Sequence, residues 1–489
     1  MSSWLAVGAY DGYSVEPPPR RSRRRLLLTI AVAAAVVAAG IPALLFVGGD
    51  KPGAAATHLA TTNLSIRLAG GYYPATKSEK AEVQAYTDSR DRAIQAVLDR
   101  QSRGVVRHRL ADFVSGVDRR SASFLRRQRE IYARLTLLDL ARWTYKADPT
   151  GAYGQSSVNW RGYGAEDVAV LPVVLSYQIR GFDAGAVARG KVFTFVRRGT
   201  TWSLASDADV KALAVPAVLS DPWDVGPISV ARGRWSLIIG GPADKKLLAR
   251  VARLEDQAIS TVARRWPDKW SHRVVVVVSR NKKLLAELFS EDPDSVKKVA
   301  AVAVPQFQVA DINAWDSTVP RPVSARVIIN PSDLDAATNL EVLTHETVHV
   351  ATFPIFHLGS PLWMVEGYAE YVSRRPDVIS EQFFQLATKN KLPSHLPSNT
   401  AWRSTAVGPA FYDEAWLACR FITRDWSEHK LIELYRKLSA IDSTDSLADD
   451  AEQRIIRSVL GISAATFAKR WKRYMHDFVA GSNWRSGAT

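Results

Sequence analysis

The chain has 489 residues, 47% of them hydrophobic and 23% charged, enough for two or three domains with sizeable cores and too apolar for a disordered or fibrous protein. Its net charge of +15 is partly concentrated in one N-terminal arginine cluster with no nucleic-acid motif beside it, so no nucleic-acid partner is expected. Cys419 is the single cysteine; an internal disulfide is excluded, and the fold must rest on its apolar core, with any bound metal adding to it.

Residues 1–25 read as a cytoplasmic tail, polar and proline-bearing, that closes on Arg20, Arg21, Arg23, Arg24 and Arg25. Residues 26–47, LLLTIAVAAAVVAAGIPALLFV, carry no charge. As a helix they span roughly 33 Å, the thickness of a bilayer core. Arginines on the N-terminal flank put that end inside. The run is longer than the apolar part of a usual signal peptide, and no A-x-A cut is followed by polar sequence. We therefore expect an uncleaved single-pass anchor in the cell membrane, with the rest of the chain outside the cytoplasm.

Residues 48–76 form a Gly/Ala/Thr-rich linker. Beyond it, Ser78 to Leu98 and Asp118 to Tyr132 have helical periodicity. Arg119, Arg120, Arg126, Arg127, Arg129 and Arg134 fall on the second of these helices, either as a solvated face or as a surface for an acidic envelope polymer or lipid head group. Strands follow at Val168–Arg180, Lys191–Arg197 and Thr201–Ala205, with a turn at Arg198-Gly199-Thr200. Helices followed by a curled antiparallel sheet resemble, in pattern and not in motif, the NTF2-like α+β domains; the resemblance implies such a domain over residues 77–220.

The Pro, Gly and Asp cluster Ser220 to Pro227 marks a boundary, and residues 221–480 are read as the second domain. Ile228–Ile239 is strand material, Lys245–Trp266 a long helix, Arg273–Ser279 a fully buried strand and Lys282–Phe289 helical. Ala300–Val304 and Arg326–Asn330 are further strands. After residue 371 the chain is helical through Ser380–Lys391, Pro409–Asp425, Lys430–Leu438, Ser446–Leu460 and Ala464–Val479, with a short tail at 481–489. Cys419 lies in one of these apolar helices and reads as a core thiol.

The chemistry is carried by Asn339 to Tyr371. His345-Glu346-Thr347-Val348-His349 is an HExxH. On a helix both imidazoles fall on one face and can reach one zinc ion, while Glu346 faces the water that the metal activates. Val342, Leu343, Val348 and Val350 surround the motif, so the helix is expected to be buried on most sides, where two histidines and a glutamate are costly without a partner. Asp335 or Asn339 is positioned to cap it, and Pro354 stops it. A catalytic zinc needs a third protein ligand. A metzincin arrangement fails, because Thr352 and Ile355 stand where Gly and His are required. His357 is one candidate. The other lies on a second helix opened by Ser360 and Pro361, which carries Glu366 about one turn in.

Here the chain resembles the gluzincin metallopeptidases, in which the third ligand is a Glu on the helix after HExxH. The matching residues are His345, Glu346, His349 and Glu366, with a WxxEGxAEY signature from Trp363 to Tyr371 similar to the peptidase-MA-like branch. The resemblance implies zinc held by His345, His349 and Glu366, with Glu346 as general base and a peptide or protein as substrate. It also implies a thermolysin-like domain, a small β lobe followed by a helical lobe, and hence an α+β fold overall. An edge strand of that lobe would hold an extended peptide by main-chain hydrogen bonds. Tyr412, in a stretch similar to the family's helix after the motif, is a candidate hydrogen-bond donor to the reaction intermediate or else a core aromatic. Glu370, one turn beyond Glu366, either orients a ligand histidine or makes an ordinary helix salt bridge.

The GxMxN element of the aminopeptidases is missing, since the three methionines are Met1, Met364 and Met475. An endopeptidase is the better expectation. The rival readings are a catalytically vestigial, membrane-tethered binding protein and a zinc hydrolase of a non-peptide envelope amide.

Overall fold

The computed structural model describes residues 64–69, 73–148, 160–212, 220–289, 299–308, 322–331, 339–357, 359–374, 379–402, 408–441 and 446–481. The expected anchor at 26–47, the N-terminal tail, most of the linker and residues 482–489 lie outside them. Among the described residues no helix is long and apolar enough to cross a membrane.

The first long helix, α1 (Lys77–Val106), opens on a capping box in which Thr76 Oγ1 accepts from Glu79 N and the Glu79 carboxylate accepts from Thr76 N. It is followed by α2 (Leu110–Val114) and α3 (Ala122–Leu135). An antiparallel sheet comes next, β1 (Leu140–Ala147), β2 (Asp167–Ile179), β3 (Val187–Arg198) and β4 (Thr201–Ser206), paired in chain order. Ile94, Leu98, Phe113 and Ile131 of the helices share one core with Trp143, Leu175 and Phe195 of the sheet. The expected strands extend by a few residues, and β1 is additional; its alternation is broken by a register shift between Leu140 and Arg142. The arginine run is not one helical face. Arg119 and Arg120 sit in the turn before α3, Arg127 pairs with Asp207 at 2.6 Å, and Arg134 donates to the Trp223 carbonyl and pairs with Glu130.

The second sheet is mixed, in the order β5 (Ser229–Arg232), β6 (Ser236–Gly240), β7 (Val274–Val278), β9 (Pro322–Ile329) and β8 (Ala301–Phe307). All five valines of β7 are buried, as a central strand covered on both faces requires. A long helix, α4 (Lys245–Arg265), lies on one face, and α5 (Lys282–Phe289) precedes β8. Then come α6 (Leu340–Thr352) and α7 (Leu362–Ser373). The rest is helical: α8 (Glu381–Thr388), α9 (Pro409–Asp425), α10 (Glu428–Ser439), α11 (Ser446–Leu460) and α12 (Ala464–Gly481). The fold is therefore α+β with a helical C-terminal part, and Cys419 is buried in its core.

The boundary segment at 220–227 is not a free hinge. Asp221 caps a one-turn helix, Pro222–Val225, and Trp223 is 2% exposed. Leu237, Ile239 and Val275 of the second sheet pack into the same core as Trp143, Tyr177 and Trp223. Arg326 of β9 reaches Asp183 at 2.7 and 3.0 Å, and Arg189 of β3 pairs with Asp221 at 3.4 Å. Buried pairs such as these fix how the two sheets meet, because removing one partner leaves a charge stranded.

Candidate metal centre

Asn339 starts α6, its side-chain oxygen accepting from Glu341 N at 2.8 Å. Its motif residues are enclosed: His345 and Glu346 are 0% exposed and His349 5%. Helix α7 starts at Leu362, with Pro361 just before it and Ser360 Oγ within hydrogen-bond reach of the His357 carbonyl at 2.7 Å and the Ser439 carbonyl at 3.1 Å. The expected serine cap is thus replaced by a bracing contact to the helical lobe. Gly367, the residue after Glu366, sits where α7 meets α9. A Cβ there would stand 2.5 Å from the Ala415 carbonyl oxygen, so only glycine lets the two helices close and carry Glu366 to the histidines.

His345, His349 and Glu366 converge. The separations are 3.1 Å between the two Nε2 atoms, 3.2 Å from His345 Nε2 to Glu366 Oε2 and 3.6 Å from His349 Nε2 to the same oxygen. Donors about 2.0–2.2 Å from a tetrahedral zinc lie about 3.3–3.6 Å from one another. The three separations are within about 0.2 Å of that spacing. The group is buried throughout, and two imidazole nitrogens with a carboxylate oxygen are a donor set that suits zinc. His357, the competing third ligand, is half-buried and outside the group; its N–H donates to Ser360 Oγ at 3.1 Å.

Glu370 meets both a histidine and an arginine. Its Oε1 lies 2.8 Å from His345 Nδ1 while its Oε2 receives Arg374. Glu366 and Glu370, one turn apart, thus hold the two ring nitrogens of the same imidazole. A proton on Nδ1 shared with Glu370 leaves Nε2 unprotonated and free to bind metal. Without a cation, burial alone would lower the His345 pKa, but Glu366 and Glu370 push it up to about 10. Glu366, against the cost of burial, is drawn down to about 2 by His349 and His345. The site is built to hold positive charge.

Glu346 does not join the ligands. Its Oε2 accepts from the Ala303 N–H of β8 at 2.7 Å, and its buried Oε1 has no protein partner. Burial holds its carboxyl above the usual carboxylate range, against the pull of His345 and His349, which suits a general base. The bond from Ala303 also shows how β8 faces the site. If the Ala303 N–H points away from β9, so does position 305, and Pro305 has no N–H to offer; a proline is tolerated on that side of an edge strand. The Pro305 carbonyl already accepts from Gln306 Nε2 at 3.1 Å. β8 is one of the two edge strands of this sheet, and the Ala303 N–H and the Pro305 carbonyl are already bonded there.

Tyr412, in the first turn of α9, is 4% exposed, its ring centroid 6.4 Å from that of His345 and 5.0 Å from that of Trp402.

Arg374, Asp413 and Glu255 near the site escaped the sequence reading. Asp413 binds Arg374 and the cap of α8. Glu255 of α4 is 0% exposed behind the motif helix. It occupies a core position of an apolar stripe, Leu248, Val251, Ala258, Ile259 and Val262, a signal that periodicity could have caught. Its Oε1 is 2.8 Å from Thr347 Oγ1, which is itself 2.7 Å from the Leu343 carbonyl. A hydroxyl has one proton to give, so both bonds form at once only if Glu255 carries a proton and donates it.

In agreement, burial, with Asp256 and Glu346 nearby, pushes its pKa up to about 8 from an ordinary 4.5. Because the folded pKa exceeds the unfolded one, this group costs stability as pH rises from 4.5 to 8, by about 1.4 kcal/mol for each pH unit. Glu255→Gln is expected to be the more stable protein at pH 8, with the advantage shrinking toward pH 5. Chemical denaturation at the two pH values checks this, and an advantage independent of pH would contradict the buried acid.

No family model and no curated protein matches the chain. Among solved structures it is similar to native yeast LTA4 hydrolase, with a TM-score of 0.32 and 9% identity over 60% of this chain and 45% of that one. It is also similar to a point mutant of an M1 zinc metallopeptidase from Deinococcus radiodurans, with a TM-score of 0.29 and 13% identity over 65% of each chain. The chain thus spans less than two thirds of the length of either. Likeness this low carries no argument, and the case for function rests on the site itself.

Proposed function

We propose that this chain is a zinc-dependent peptidase of gluzincin type, bound to the cell membrane by residues 26–47 with its catalytic part outside the cytoplasm. The observation that carries the reading is the three-atom group of His345, His349 and Glu366 with the unpartnered Glu346 Oε1 beside it. A zinc ion held there would supply Lewis acidity to the scissile carbonyl and to the attacking water. Glu346 takes a proton from that water at Oε1, while the Ala303 N–H fixes its other oxygen, and returns the proton to the leaving amine. Tyr412 is the candidate donor to the developing oxyanion. Lack of the aminopeptidase amino-terminus element favours cleavage within a chain. The N-terminal sheet is proposed to be an NTF2-like module that braces the catalytic part rather than reacting; Asp183 and Arg189, which pair with Arg326 and Asp221 at the junction, support this.

The test is cleavage of a peptide library by the purified protein, followed by chelation and addition of zinc. Cleavage that a chelator stops and zinc restores is expected. Zinc bound without cleavage of any peptide would overturn the peptidase reading and favour a non-peptide amide.

A further inference from the structure

Three side chains one turn apart on α7, Glu366, Glu370 and Arg374, face the same way, and only the first two touch His345. Arg374 is the C-cap of α7, where a cation also suits the carbonyl end of the helix. Its guanidinium forks: Nε donates to Glu370 Oε2 and Nη1 to Asp413 Oδ1. It lies over the Trp416 ring, 5.1 Å from the centroid. Asp413 is anchored in turn, its Oδ2 accepting from the backbone N–H of Ser380 at 3.0 Å and from the Ser380 hydroxyl. Glu370 and Asp413 are 2% and 0% exposed. Glu370 therefore sets Oε1 2.8 Å from His345 Nδ1 and gives Oε2 to the arginine.

We propose that Arg374 is a positioning residue for the metal centre: held between Asp413 and the Trp416 face, it clamps Glu370 so that His345 presents Nε2 to the cation. The inference rests on the zinc reading of the site. Without the guanidinium, Glu370 would be a buried carboxylate with Oε2 unpaired, and it would relieve this by turning away from His345 toward another donor. That leaves the imidazole free to rotate. A plain structural role would make a different prediction, since loss of the clamp would then weaken the fold and leave zinc binding alone.

The experiment is zinc affinity, measured by competition with a chromogenic chelator, for wild type, Arg374→Ala, Glu370→Gln and the double variant, with thermal melting of each zinc-free protein alongside. Arg374→Ala and Glu370→Gln are each expected to weaken zinc about 10- to 100-fold. The double variant is expected to be no worse than Glu370→Gln alone, because the arginine acts through that carboxylate. Arg374→Lys keeps the charge but not the fork; it is expected to recover only part of the affinity, and it supplies the comparison if the alanine variant does not fold. Zinc affinity in a folded Arg374 variant equal to wild type, or losses that simply add in the double variant, would overturn the clamp. A wild type that binds no zinc would instead overturn the reading of the site, so the two failures are distinguishable.

Discussion

Glu346→Gln is expected to leave the zinc content of the protein unchanged and to lower peptide hydrolysis roughly a thousandfold, within the range lost with a general base. The geometry separates the two effects. Glu346 gives no atom to the three-ligand group; its Oε2 is bound to Ala303 N, and its Oε1 is the oxygen left for proton transfer. Glutamine has the same shape and can keep a contact to β8, but its amide cannot accept a proton at neutral pH. The check is paired: elemental analysis for zinc and initial rates on one cleaved peptide. Hydrolysis surviving in a folded Glu346→Gln protein would remove Glu346 from the mechanism.

His345→Ala is expected to lose both zinc and hydrolysis. Structural zinc sites with four ligands bind with about 10–16 kcal/mol, so one ligand accounts for about 2.5–4 kcal/mol, roughly a hundredfold or more in affinity at the middle of that range. His345 is also the hub, since it meets His349, Glu366 and Glu370. Its removal takes one partner from Glu366, which keeps His349, and one from Glu370, which keeps Arg374. Zinc titration followed by calorimetry or chelator competition checks this; retained wild-type affinity would mean that the metal, if any, sits elsewhere.

The contrast between these variants follows residues that were legible in the sequence. HExxH needs only helical periodicity to put two imidazoles on one face, and the i, i+4 spacing of Glu366 and Glu370 needs only the same rule once α7 is recognised. What the pattern could not supply was the partner across space. Whether Glu370 meets a histidine or a neighbouring arginine depends on how α7 packs on α6, and it does both. Asp413 meets Arg374 across 39 residues of chain and Glu255 meets Thr347 across 92, beyond any local rule.

The fold divides in the same way. Buried strands such as the VVVVV of β7 declare themselves, whereas β1 was hidden because its register shift breaks the alternation of LARWTYKA. The cluster at 220–227 has the composition of a linker, yet Trp223 and Asp221 are claimed by the core between the two sheets. Composition reports what a segment can do locally, and packing decides whether it stays free.

The most direct test is the zinc content of the purified, folded wild-type protein, by elemental analysis after exhaustive dialysis. One zinc per chain is predicted, falling in Glu366→Gln. No zinc in a folded wild type that also fails to take it up on addition would contradict the account, leaving a vestigial motif and moving the search for function to the N-terminal sheet.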